Sequence, residues 1–519
     1  MARNFVRLLT LAAVFASFAG SYAWSQTPAA GGTAEAATRP VPLPLSGKAN
    51  QTGTVTAQQN ASPAGGVSTI NSSVQLGGAL SGSVPAADLP AGPVTLTLAD
   101  AVKRALRWNL GPITADNSAR AARAERIQAL SALLPNISAS ASDTVTQVNL
   151  AAYGFQFKTP PGLNFSIPSV VGPFNYSSLQ GSLSLSVYDA VRRNNWRAAK
   201  ETERASVESA RDTRELVVLA AGGAYLQAVA TAARVDSQQA QVNNAQAIYK
   251  QAVIRKEAGT NARIDVTRSL VEFQSEQQRL VSLEADLRKQ KISLARIMGL
   301  PLDRELELAE PLSFNATVVP DVDGSIQRAL QQRADIRSAQ AQVAAAERQV
   351  SAARAERQPS VALSGYYGVL GPNPTQAHGV FAVTGSVTVP VWQGGRTRGD
   401  IQQAEATLHQ RQAELADQRG RVEQGVRTAL IEFQTATGQV RLAESNRKYA
   451  NDTLSQARDR FNAGVATTLE VVQAQEQVAG AESDYVSSLF SANLAKLALA
   501  RAVGDAENEV PNLLKGNRP

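Results

Sequence analysis

The chain has 519 residues, no Cys and only two His, and its 51 basic against 44 acidic residues leave a formal charge of +7. Without Cys there is no disulfide, no thiol nucleophile and no lipid-anchored cysteine, and His378 and His409 stand too far apart in sequence to support a His-rich metal centre or a hydrolytic triad. The charge is mild for this length and its signs are mixed along long polar stretches, which describes solvated helix faces and not a nucleic-acid groove; no catalytic residue, metal or cofactor is expected.

Residues 1–23 read as a secretory signal peptide. Arg3 and Arg7 precede an apolar run from Leu8 to Phe18, and Ser21-Tyr22-Ala23 is a small-x-small cleavage site. The run is shorter than the ~20 apolar residues a membrane-spanning helix needs. Residues 24–93 are rich in Ala, Gly, Ser, Thr, Pro and Gln. Such a stretch buries too little apolar surface to offset its ordering entropy, so an extension is expected, draped on the surface or hanging free, with the folded region starting near Val94.

From there the chain repeats itself. "LARIMG" (Leu294–Gly299) answers "LARAVG" (Leu499–Gly504) at an offset of 205, and "AGTNARIDV" (Ala258–Val266) answers "AGVATTLEV" (Ala463–Val471) at the same offset, with Asp265 matched by Glu470. Further upstream "KRAL" (Lys103–Leu106) matches "QRAL" (Gln327–Leu330), and Pro135 matches Pro359, both at 224. The first half therefore carries an insertion between Pro135 and Gly181, and the aromatic, Pro- and Gly-rich stretch Ala151–Asn175 reads as the loop that holds it. Two repeats, 94–310 and 311–505, precede a short tail, 506–519. Each predicts a helix ending at Pro, a strand, a loop, a strand, a very long helix, the Ala-Gly turn and a second long helix.

The strands show period two. Val361, Leu363, Tyr367 and Val369, then Phe381, Val383, Val387, Val389 and Val391, alternate with Ser, Thr and Ala, and Leu179, Leu183, Leu185 and Val187 alternate with Gln180 and serines. One face is oily and one wet. That suits a sheet over a soluble core or a barrel strand between lipid and water, with Tyr188, Trp392, Tyr366 and Tyr367 as an interfacial girdle. Four strands cannot close a membrane barrel, whose minimum is about eight, and lipid tolerates no open edge. A membrane reading therefore requires oligomerisation; two copies give a narrow filled barrel and three give twelve strands with room for a channel.

No Pro interrupts Arg192–Glu257 or Arg398–Asn462, and at 1.5 Å per residue each predicts a rod of about 100 Å. Their apolar residues are mostly Ala, and polar residues fill most of the circumference, as in a thin wall wet on both sides. Leu216–Ala233 holds eighteen residues without charge. Its repeat counterpart carries Glu423, Arg427 and Glu432, so equivalence of the halves argues against a membrane span there.

From Leu96 to Gly504 the chain resembles the TolC-like outer membrane efflux proteins. The resemblance rests on "LTLADAVKRALRWN" (Leu96–Asn109), the strands led by Pro135 and Pro359, "VPVWQGGR" (Val389–Arg396) and the two Ala-Gly turns; "VYDAVRR" (Val187–Arg193) lacks the double Gly usual at the first-half counterpart. It implies a mostly α protein with a membrane β part. Four strands per chain join a trimeric 12-stranded barrel, and long antiparallel helices form a periplasmic α-barrel. It implies no enzymatic activity but an exit duct, in the outer membrane with a periplasmic extension, for an efflux pump or a type I secretion system. The implied partners are two further copies of the chain, a periplasmic adaptor (membrane fusion) protein, an inner-membrane transporter and outer-membrane lipid. Ala258, Gly259 and Thr260, with Ala463, Gly464 and Val465, are the implied adaptor-docking tips. Glu470 matches the first of two acidic aperture residues, Gln473 replaces the second, and Ala466 stands where a basic residue is usual. Asp265 and Arg268 are candidate contacts of the first tip. Pro135, Pro359, Pro390, Gly394 and Gly395 mark the barrel-to-helix transitions. The alternative is an exported soluble coiled-coil scaffold or adaptor that never inserts.

Overall fold

The computed structural model describes residues 56–57, 74–75, 78–85, 92–154, 168–259, 262–315 and 320–513. The segment read as a signal peptide lies outside them. Two short strands, β1 (Thr56–Ala57) and β2 (Val74–Gln75), pair antiparallel. The chain then runs through β3 (Val94–Leu96), α1 (Leu98–Trp108), α2 (Leu110–Ser131), β4 (Asn136–Asn149), β5 (Val170–Tyr188), α3 (Ala190–Glu257) and α4 (Arg263–Met298). The same series follows again as β6 (Leu306–Leu308), α5 (Val322–Gln332), α6 (Ala334–Ala355), β7 (Ser360–Gly371), β8 (His378–Thr388), α7 (Arg396–Asn462) and α8 (Thr468–Val503), before a short α9 (Ala506–Leu513).

Equivalent positions begin equivalent elements by the same chemistry. Thr97 caps α1 by accepting from the Asp100 N–H, and Asp321 caps α5 by accepting from the Gly324 N–H at 2.8 Å. β3 and β6 pair in parallel, Val94 opposite Leu306 and Leu96 opposite Leu308. The second unit therefore begins upstream of the expected boundary at 311; a three-residue strand is too short to show a period.

The folded region also begins earlier than Val94. Leu80 is 3% exposed inside the first core cluster, Val84 N–H donates to Trp108 O at 2.9 Å, and Asn109 Nδ2 donates to Leu80 O at 2.8 Å. One leucine in a run of small polar residues is averaged away in a composition window, yet it fills a fixed hole in the core.

The core lies around the middle of the long helices, in two related clusters. The first gathers Val217, Val218, Tyr225 and Leu226 of α3 with Leu294 and Met298 of α4 and Phe490 and Leu497 of α8. The second gathers Val422, Val426, Leu430 and Phe433 of α7 with Ile326 and Ile336 and the other side of α8. This accounts for the charge-free stretch of α3. The helix is long and apolar enough to cross a membrane, but its apolar window is packed inside the protein. Gly222 belongs to this packing, because a Cβ there would come within 2.6 Å of Leu497 Cδ2.

The helices form a single layer whose order changes at the core. On the strand side, Arg126 of α2 pairs with Glu203 of α3, Ser338 Oγ of α6 donates to Ala205 O of α3, and Arg354 of α6 meets Glu405 of α7. The order is α2-α3-α6-α7. On the turn side, Gln238 of α3 bonds Glu276 of α4, Arg234 of α3 bonds Ser487 of α8, and Arg447 of α7 meets Glu482 of α8. The order there is α4-α3-α8-α7. One margin is thus α2 and α4, the other α7.

β4, β5, β7 and β8 form one antiparallel sheet in that order, with β4 and β8 at its open edges. The register keeps the oily positions in rows: Ala139–Gly181–Tyr367–Phe381 and Ile137–Leu183–Gly365–Val383 each run across four strands. Serines face the other way, with Ser138 and Ser142 bonded to Ser182 and Ser178 across β4 and β5. The expected girdle divides here. Tyr367 lies on the apolar face and Tyr366, opposite Ala382, on the polar one, because neighbours in a strand point to opposite sides. A bulge between Ser186 and Tyr188 brings Tyr188 opposite Val361 on the apolar face and displaces Val187 from the expected alternation. The first hairpin is longer than the second, as the insertion requires, and β5 starts at Val170, inside the stretch expected as loop.

Candidate functional site

The two Ala-Gly turns close the helical hairpins by one mechanism. At the first, the Ala258 N–H donates to Ile254 O and Gly259 N–H to Lys256 O, both at 3.0 Å. At the second, Ala463 N–H donates to Asp459 O, Gly464 N–H to Phe461 O and Val465 N–H to Arg460 O. Gly259 at φ +72° and Gly464 at φ +78° occupy the left-handed region that glycine adopts without a Cβ clash. Thr260 lies outside the described residues. Ala258, Ala463, Gly464 and Val465 are exposed, and Ala466 is half-buried against the tip cluster.

The acidic residues at the tips have partners. Asp265 pairs with Arg268 at 3.5 Å, one turn along α4. Glu470, in the first turn of α8, pairs across the turn with Arg460 at 3.6 Å, and its N–H is capped by Thr467. The repeat explains the difference. The counterpart of Arg268 at offset 205 is Gln473, which is exposed and carries no charge, so the cation that reaches Glu470 comes from the preceding helix.

Sequence reasoning missed the link between the two tips. The Arg255 guanidinium of α3 lies 4.1 Å from the ring centroid of Phe461 in α7, and both its terminal nitrogens donate to Phe461 O at 3.4 Å. Gln251 Nε2 donates to Asn462 Oδ1 at 3.2 Å beside it. Ile248, Leu454, Phe461, Val471 and Ala474 form a small apolar cluster beneath. Arg255 and Arg460 are themselves repeat partners at offset 205, and that was the available signal.

Further from the tips, Glu272 and Glu276 of α4 line a cavity of about 20 Å³ with Gln241, Asn244, Leu454 and Gln475. Burial holds the Glu272 carboxyl above its ordinary range, reinforced by the hydrogen bond and charge of Glu276 and by the charge of Glu476. At the core, Arg501 of α8 pairs with Asp212 and with Glu215 of α3, while Arg333 pairs with Asp335 at 2.7 Å and donates to Ala502 O. Burial raises the carboxyls of Asp212 and Glu215 even against the charge of Arg501. Burial also pushes Asp335 up, but the hydrogen bonds and charges of Arg333, Arg501 and Gln418 outweigh it and hold it low.

The junctions between sheet and helices differ between the halves. Pro135 and Pro359 each stand four positions past the last residue of α2 and α6 and immediately before β4 and β7. β5 passes into α3 through Asp189 alone, which caps the helix by accepting from Arg192 N–H at 3.0 Å. β8 instead reaches α7 through the segment from Val389 to Gly395. Pro390 lies within it, and Gly394 and Gly395 take φ of +60° and +89°. The first half replaces the double Gly with a bulge and an Asp cap. In the second, Val391 and Trp392 are 93% and 88% exposed.

The family described as "Outer membrane efflux protein" matches residues 114–300 and 325–505. The pyoverdine export outer membrane protein OpmQ of Pseudomonas putida is 24% identical over 321 residues, covering 59% of this chain and 67% of its own length. The fold is similar to VceC of Vibrio cholerae (TM-score 0.66, 21% identity, 78% of this chain and 96% of that one). It is equally similar to the open state of the MtrE channel of Neisseria gonorrhoeae (TM-score 0.66, 19% identity, 79% and 89%). With both halves matched by the family and most of the fold by its channels, this chain belongs to the outer membrane efflux protein family, whose members are channels of the cell outer membrane with a periplasmic extension and not enzymes.

Proposed function

We propose that three copies of the chain form the exit duct of a tripartite efflux pump or type I secretion system, passing substrate from an inner-membrane transporter and a periplasmic adaptor to the exterior. The observation that carries this is the pair of open margins. Edge strand β4 follows α2, which shares its margin with α4, and edge strand β8 leads into α7, so each side of the chain is unfinished from sheet to tips. Edge strands left unpaired in lipid cost several kcal/mol per exposed backbone group. Joining the β8 margin of one copy to the β4 margin of the next, and repeating it, closes twelve strands into a barrel with the apolar face toward lipid and the polar face toward a lumen. The apolar rows from Val361 to Val369 extend about 26 Å along the strand, enough for the apolar belt of such a barrel once Val389, Val391 and Trp392 are added.

In this reading the tips, Ala258 to Thr260 and Ala463 to Val465, receive the adaptor. Glu470 rings the aperture with Gln473 beside it, and Asp265–Arg268 and Arg460–Glu470 hold the tips together. The OpmQ relative is named for export, which supports the outward direction. The test is the mass of the cross-linked, detergent-extracted outer-membrane fraction and its mobility before and after heating. A trimer whose folded and unfolded forms migrate differently is expected. A monomer released by carbonate would make the chain a soluble scaffold and overturn the duct.

A further inference from the structure

The polar face of the sheet has two properties that alternation does not require. No Asp, Glu, Lys or Arg lies on it along the paired rows of β4, β5, β7 and β8. Near the helices it carries mostly Ser, Thr, Asn and Ala, with Tyr366 in the row Ser138–Ser182–Tyr366–Ala382, but toward the hairpin end the pattern breaks. Phe174 stands opposite Thr146 and Tyr176 opposite Thr144, two residues apart on one face of β5 and about 20 Å or more along the strand from the Tyr366 row. Leu370 stands opposite both Ser178 and His378, and Phe174 is 43% exposed. Rings facing water lose solvation free energy and gain nothing from the sheet beneath them, so a function in contact with solute accounts for them better than packing does.

We propose that this end of the polar face is a solute-contact collar that retains uncharged molecules bearing an aromatic ring; the inference rests on that face lining the lumen. Phe174 and Tyr176, repeated in three copies around the lumen, offer ring faces for stacking, the neighbouring serines and threonines offer hydroxyls to polar substituents, and a wall without Asp, Glu, Lys or Arg holds no ion in preference to another. Discrimination among ions is then left to the charged helical tips, and the collar discriminates by ring.

The test is single-channel recording of the protein in planar bilayers with two neutral probes, 4-nitrophenyl β-D-glucoside and methyl β-D-glucoside, added on the hairpin side. The aryl glucoside is expected to interrupt the current with residence times about 10-fold longer than the methyl glucoside, from two ring contacts. The variant carrying Phe174→Ser and Tyr176→Ser should reduce that ratio to near one, while Tyr176→Phe, which keeps the ring, should preserve it. If the double variant forms no pore, Tyr176→Ser alone decides, with a ratio lowered about 2-fold or more expected. Equal interruption by both glucosides, or an aryl effect untouched by loss of the rings, overturns the collar and leaves the duct standing. Absence of any pore from the unaltered protein overturns the duct and the collar with it.

Discussion

In the proposed duct Glu470 supplies one carboxylate where a double acidic ring would have two, and its pairing with Arg460 at 3.6 Å reduces its field further. Glu470→Gln should therefore lower cation preference by a modest factor, whereas Gln473→Glu should raise it and strengthen block by divalent cations, both read from reversal potentials in a salt gradient. Unchanged selectivity in Glu470→Gln would remove this residue from the aperture. The core offers a stability counterpart. Arg501→Ala leaves Asp212 and Glu215 without their cation and should cost about 3–5 kcal/mol near neutral pH. Both carboxyls already titrate high, so the charged forms are the disfavoured ones in the fold; their penalty grows as pH rises and is relieved as pH falls. The loss of thermal stability in this variant should accordingly shrink in acid. Gly222→Val should cost about 1–3 kcal/mol by overpacking against Leu497. Of these residues the sequence singled out Glu470, through the resemblance to the family's aperture position. Arg460 was hidden because its partner lies across a turn, and Gly222 because close approach leaves no mark in a sequence.

At the scale of elements, long uninterrupted helices and period-two strands were legible because each extends its pattern over many residues: α3 has 68 and α7 has 67. What escaped was short or relational. β3 and β6 are three residues each, Leu80 is a single buried side chain, and the bulge before Tyr188 shows only in the register. The same holds for contact between hairpins. The Arg255–Phe461 stack ties the α3 end to the α7 end, so opening the tips by moving one hairpin must break it. Phe461→Leu keeps apolar volume in the tip cluster but removes the ring face. It should raise the fraction of time the channel spends in its high-conductance state, and gating like that of the unaltered protein would exclude the stack as a latch. Glu272, raised by burial and by its acidic neighbours, argues for a second contact between hairpins that weakens as pH rises. Glu272→Gln should stabilise the protein at neutral and alkaline pH and change little in acid, where the carboxyl is already protonated.

For the whole molecule the decisive property is that the two margins differ. A two-fold dimer would join like to like, whereas a closed ring joins the α7 side of one copy to the α4 side of the next. Both margins carry exposed apolar residues: Ile431, Leu442 and Tyr449 on α7, spaced by 11 and 7 residues and so on one helix face, and Val271, Val281 and Ile292 on α4. Leu442 and Val281, 68% and 63% exposed, each lie about twenty residues from their tip and hence at about the same height. The chain has no Cys, so introduced thiols act without background. Leu442→Cys combined with Val281→Cys should give covalent dimers and trimers under mild oxidation, while either substitution alone should give neither, because in a ring no residue meets its own copy. Cross-linking by a single variant would show a two-fold contact and refute the ring. The sequence argues for oligomerisation by strand count alone; the proposed direction of assembly draws on the order of helices in the folded chain, since nothing in a linear sequence marks which face of a repeated unit is left unfinished.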